Sequence, residues 1–151
     1  MHIKLLVGKT SSGQPAYESV YVTEVGPHKY VIEFSPGLAY GVAAGDEIEL
    51  FEDGSFEVVR RAGSVAVRVL SEHLLDSAEP DLTRKVGEIL GGRLDGNIGH
   101  GLAYTIPHGP GFPAIEQVFE AFVHSTPGAA WEYGNVYAED GTPLGWWQSA
   151  A

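Results

Sequence analysis

A chain of 151 residues and 16.2 kDa makes one ordinary domain, or two very small ones sharing a core, and can bury roughly 70% of its unfolded surface without staples. Its 44% hydrophobic and 19% charged residues, with a mean hydropathy of -0.04, exclude a disordered or low-complexity chain. Zero cysteines exclude disulfides and thiol chemistry, no apolar run approaches the ~18 residues of a membrane helix, and a net charge of -11 works against direct nucleic-acid binding.

The first half reads as strands. Ile3 to Val7 is a short apolar run, followed by a polar Gly/Ser loop from Gly8 to Pro15. Val20 and Val22 alternate with Ser19, Tyr21 and Thr23, the period of a half-buried strand. Gly26-Pro27-His28 turns the chain, and Tyr30, Ile32 and Phe34 give a returning strand. After the small apolar segment Leu38 to Ala44 and the tight Gly45-Asp46 turn, Glu47 to Phe51 alternates again, with Ile48 and Leu50 inward. Asp53-Gly54 is a hairpin signal between it and a strand from Ser55 to Arg61. Val65 to Leu70 is a sixth strand, so the first half predicts a small antiparallel barrel or meander.

The second half changes period. Leu82, Val86, Ile89 and Leu90 predict one face of a helix that opens near Pro80 and closes at Gly91-Gly92. Arg93 to Ile98 and Leu102 to Ile106 predict two strands. Ile115, Val118, Phe119, Phe122 and Val123 predict a second helix, which Pro127-Gly128 ends. Trp131 to Tyr137 predicts a last strand, and a loop-like tail follows. From Val65 onward the order is strand, helix, strand, strand, helix, strand, a ferredoxin-like βαββαβ pattern. The expected fold class is therefore α+β: a barrel-like β-rich subdomain over 1–72 and a ferredoxin-like subdomain over 65–151, either side by side or fused in one core.

The phrases Ile3-Lys4-Leu5-Leu6-Val7, Glu18-Ser19-Val20-Tyr21-Val22 and Leu38-Ala39-Tyr40-Gly41-Val42 before Gly45-Asp46 are similar to the bacterial domain-of-unknown-function family DUF4265. The strands at Val65 to Leu70 and at Trp131-Glu132-Tyr133 match more loosely. These are strand and turn patterns with no catalytic signature. The resemblance implies a soluble bacterial protein and no particular activity.

No familiar reactive arrangement is spelled out. The six histidines form no His-x-x-x-His pair, so no metal or other cofactor is expected. The serines include no Gly-x-Ser-x-Gly elbow, and the glycines no phosphate-cradling loop at a helix start. The Met1 to Lys9 segment is too short and unflanked for a signal peptide, and the expected location is the cytoplasm.

Charge is the strongest remaining signal. Asp46, Glu47, Glu49, Glu52, Asp53 and Glu57 place six acids in twelve residues with no cation among them. From Leu94 to Ala151 there is no Lys or Arg, while Glu132, Glu139 and Asp140 lie near Trp146 and Trp147. Both sets are candidate contact surfaces for a basic protein, because an acidic surface speeds encounter and aromatic side chains anchor it. The leading expectation is a non-catalytic immunity (antitoxin) protein that covers a cognate basic toxin, plausibly a nuclease. It has no direct nucleic-acid or membrane partner. Two alternatives stay open: a small enzyme with His100 and His108 as acid/base groups beside Asp95, and a regulatory domain whose sheet faces form a ligand pocket.

Overall fold

The computed structural model describes residues 1–148. Nine strands and two main helices follow one another among the described residues. The first five are β1 (His2–Lys9), β2 (Pro15–Gly26), β3 (Lys29–Ile32), β4 (Glu47–Leu50) and β5 (Phe56–Arg60). They pair in sequence order as an antiparallel sheet β1-β2-β3-β4-β5. This is an open meander. The first strand touches the far hairpin through the Leu6 N–H to Gly54 carbonyl bond of 2.8 Å. Period-2 alternation decides the buried face: Ile3, Leu5, Val20, Val22, Ile32 and Ile48 pack with Ala39 and Val42 as one cluster.

The rest of the chain is β6 (Ser64–Ser71), α1 (Glu79–Lys85), β7 (Arg93–Asn97), β8 (Gly101–Pro107), α2 (Phe112–Ser125) and β9 (Ala129–Tyr133). The strands form a second antiparallel sheet, ordered β7-β8-β6-β9. Both helices lie on one face of it. Val65, Val67 and Val69 of β6 and Leu102, Tyr104 and Ile106 of β8 meet Leu82, Val86, Leu90, Ile115 and Phe119 in a second cluster. The protein is thus mixed α+β and mostly antiparallel.

Three predicted elements differ. The first helix runs past Lys85 into a wider π turn, Val86–Leu90, which Gly91 ends at φ 69. The wider turn places Leu90 against the core and leaves Ile89 59% exposed, against the ideal 3.6 period. The third strand stops at Ile32, and Phe34 is exposed, because the Ser35 N–H bonds the Asp95 carboxylate at 2.8 Å instead of a ladder partner. The last strand ends at Tyr133. Beyond it the Asn135 side chain takes over, accepting from the Ala66 N–H at 2.9 Å and donating to the Ser64 carbonyl at 2.8 Å.

Tyr104 is fully buried, its hydroxyl 2.9 Å from the Thr83 hydroxyl and its ring edge-on to Phe119. Burial pushes its phenol up from 10.0 to about 12. A raised folded value means stability that is complete below pH 10 and lost as pH rises to about 12, because the unfolded chain releases the proton first. The expected loss from this group is about 2–3 kcal/mol. Urea unfolding on either side of that window should show it, and Tyr104→Phe should remove that share of it. An identical alkaline loss in the variant would refute the assignment.

Candidate binding surface of acids and aromatics

The second sheet's other face turns toward the first sheet. Along β6 the valines point to the helices, so Ala66 and Arg68 point the opposite way, under the loop of residues 33–46 that links β3 to β4. Arg68 is 3% exposed. Its guanidinium donates to the Leu38 carbonyl at 3.0 Å and to the Ala39 carbonyl. It sits 3.6 Å from the Glu132 carboxylate and 4.6 Å from the centre of the Tyr40 ring. Its Nε has no hydrogen-bond partner among the described residues. Gly134 makes room for it, since a Cβ there would come within 3.2 Å of Nε. Burial lowers the guanidinium from its ordinary value, and the Glu132 charge opposes this.

The same loop is gripped from the other side by Glu18, whose carboxylate accepts N–H bonds from Gly37, Leu38 and Ala39 at 2.7, 3.0 and 2.9 Å. A third stitch is Asp95, with a 1% exposed side chain, which accepts from Arg93 at 2.8 Å, from Ser35 N–H and from the Thr105 hydroxyl. Thr105 spends its one hydroxyl hydrogen on Asp95, so Ser35 donates to Thr105 at 2.6 Å and accepts from the Ala44 N–H at 3.0 Å.

On the outer side of this seam lies a cleft of about 640 Å³, lined by Tyr40, Trp131, Tyr133, Tyr137, Glu132 and Glu139. The Tyr40 hydroxyl donates to Glu132 at 2.9 Å. Trp131 donates its indole N–H to Glu120 at 2.8 Å, and the Tyr133 hydroxyl donates to Glu116 at 2.9 Å. Glu116 and Glu120 are one turn apart on α2, so the helix adds a carboxylate row to the strand's aromatic row. Burial first, then Glu116, hold the Tyr133 phenol far above its usual value, and burial with Glu132 raises Tyr40. Rings meet edge-on, Trp131 to Tyr133 at 5.0 Å between centroids. Such a cleft offers π faces and carboxylates together, the combination that suits an organic cation.

The sequence candidates divide. Glu132 and Glu139 line the cleft, and exposed Asp140 follows them, its carboxyl held below its usual value by the Thr142 hydrogen bond. Trp146 and Trp147 are half-buried and close the end of the second core. Trp146 donates to the Asn135 carbonyl at 2.8 Å, and Trp147 meets Phe112 at 5.0 Å. They support the wall behind Tyr133 and are not protruding anchors.

On the β4–β5 hairpin, Glu49 and Glu57 are directly opposed. Glu52, Asp53 and Glu57 are exposed. Cations missing from the local sequence arrive through the sheet: Lys29 lies opposite Glu49, and Arg60 pairs with Glu47 at 3.5 Å. Asp46 is a correction. Its side chain is 1% exposed and bound to Ala43 N–H, Ala62 N–H and Arg61, so it offers nothing to a partner.

The acid/base alternative does not assemble. His100 and His108 flank opposite ends of the seven-residue β8, eight residues and so roughly 25 Å apart along an extended strand. Asp95 is committed to the seam. Among the described residues no three His, Asp or Glu converge as a metal site. Sequence reasoning missed Arg68, Tyr40, Glu116 and Glu120. Arg68 carried a readable signal, a lone cation in the otherwise apolar run Val65 to Leu70.

Two antiparallel sheets, two helices on one of them, and a polar seam between them define the class: a small α+β protein. The chain belongs to the DUF4265 family, described as "Domain of unknown function (DUF4265)", which it matches over residues 18–130. β1 and most of β9 lie outside that match. No curated protein matches the sequence. The fold is similar to the crystal structure of a hypothetical protein from Neisseria gonorrhoeae, with 15% identity, a TM-score of 0.67, and coverage of 89% of this chain and 94% of that one. No helix among the described residues is long and apolar enough to cross a membrane.

Proposed function

We propose that the protein is a non-catalytic binding module that captures a basic protein partner, in the manner of a cytoplasmic immunity protein neutralising a toxin. The second half is read as a ferredoxin-like unit and the first as a curled sheet that braces it. The observation that carries this reading is the meeting of aromatic faces and carboxylates in one cleft, all of whose lining but Tyr40 comes from the stretch after Arg93, which holds no Lys or Arg. A partner's Lys or Arg would lie on Tyr137 and Trp131 and pair with Glu139, while the acidic hairpin steers the approach. Arg68 already neutralises part of Glu132, so Glu139 and Asp140 carry the free charge.

The test is association with the product of the adjacent gene at two salt concentrations. Tyr137→Ala should weaken the complex by about tenfold to a hundredfold, chiefly through faster dissociation. Charge reversal at Glu139 with Asp140 should slow association and flatten its salt dependence. A complex indifferent to salt and to both changes, or no complex, sinks the proposal.

A further inference from the structure

Independently of the acidic cleft, we infer that the groove between the two sheets binds an uncharged, largely apolar small molecule. This cavity, of about 420 Å³, is bounded by β2, the 33–46 loop and the β7–β8 hairpin. Its volume falls in the range of small-ligand sites. Tyr21, Phe34, Leu38, Leu70, Ile98 and Leu102 supply apolar wall. Several of these sit uncovered at the mouth: Ile98 is 84% exposed, Leu38 57% and Tyr21 50%. They are also close to one another. Tyr21 and Phe34 meet edge-on at 6.0 Å, and Ile98 and Leu70 both come within 3.5 Å of where a Gly101 Cβ would stand.

The ligand's charge follows from the polar groups that reach the groove. Buried Ser35, the buried Asp95 side chain and half-buried Glu18 are its polar wall, and each is spent inside the protein. Glu18 accepts three backbone N–H bonds, Asp95 accepts from Ser35, Thr105 and Arg93, and Ser35 bridges Thr105 and Ala44. An occupant therefore finds no unused buried donor to hold an anion, and two carboxylates stand behind the wall to repel one. A cation would have to compete with the N–H donors that hold the loop. Aliphatic and aromatic contact is what remains. The walls belong to two sheets joined by the seam, so the groove is preformed.

The neutral probe N-phenyl-1-naphthylamine, titrated into the full chain, should bind saturably at one molecule per chain with enhanced fluorescence. Decanol should displace it, and decanoate should do so about tenfold less well or worse. Gly96 lines the groove, has no atom within 4 Å of its Cβ position and needs no left-handed backbone, so Gly96→Phe fills the space and should abolish saturable binding at unchanged Tm. Leu38→Ser, at an exposed position, should weaken binding about tenfold. Glu139→Arg, in the separate acidic cleft, should leave it unchanged. Non-saturable partitioning, indifference to both groove variants, or decanoate binding as tightly as decanol overturns the inference. So does a self-associated chain that takes up the probe only after dissociation, which would make a second copy the occupant.

Discussion

Truncating Arg68 to Ala is expected to destabilise the fold by about 3–5 kcal/mol, the cost of breaking a buried charged network from one side. The Leu38 and Ala39 carbonyls lose their donors, and Glu132 loses its buried counter-ion. Loop residues 37–41 should then lift from the second sheet and gain rapid hydrogen exchange, while the helices keep theirs. Arg68→Lys should recover only part of the loss, because a single ammonium cannot fork to two adjacent carbonyls and lie on the Tyr40 ring. The Arg68–Glu132 pair itself should contribute little in a double-mutant cycle, about 1 kcal/mol or less. The distance is 3.6 Å and Glu132 is 38% exposed. Urea unfolding decides it. A loss below about 1 kcal/mol for Arg68→Ala would mean that the loop holds without its guanidinium.

The second large effect belongs to the Gly45-Asp46 corner. Asp46→Ala is expected to cost about 2–4 kcal/mol, since it strands the buried Ala43 N–H, takes the acceptor from the Ala62 N–H and frees Arg61. Asp46→Asn keeps an acceptor and should cost clearly less. Burial raises the Asp46 carboxyl above its usual value, and the two N–H donors and Arg61 pull it back without cancelling the rise. With the folded value above the unfolded one, proton uptake favours the folded state. This group's contribution is complete below the unfolded carboxyl value and is lost as pH rises through the folded one. Wild type should therefore gain on Asp46→Asn as the solution is acidified through that window. A gap that widens against wild type would reverse the assigned sign. Gly45 is required beside it: φ is +89, and a Cβ would stand 2.7 Å from the Ala62 Cβ.

Much of the architecture was readable because side-chain period reports burial. Val20 and Val22, Ile48, and the helical face of Ile115 and Phe119 are buried as their spacing predicts. Ile89 was misassigned because a π turn changes the period, and nothing in Val86-Gly87-Glu88 announces one. The acidic hairpin was legible as a cluster of six acids in twelve residues. It was misread as unaccompanied because Lys29, its neighbour through β3, is twenty residues away in sequence. Asp46 was counted with the hairpin acids because composition does not distinguish a surface carboxylate from one that caps a corner.

The sequence of strands and helices along the chain, most of the helix faces, the acidic balance and the family resemblance follow from local pattern, where each residue's neighbours in the chain carry the information. The seam, the aromatic cleft and the groove do not. Arg68 meets Leu38 across thirty residues, Tyr40 meets Glu132 across ninety-two, and Ser35 meets Thr105 across seventy. Each contact exists only because the 33–46 loop leaves the first sheet and lies down on the second, and that docking is decided by buried polar groups finding partners in three dimensions.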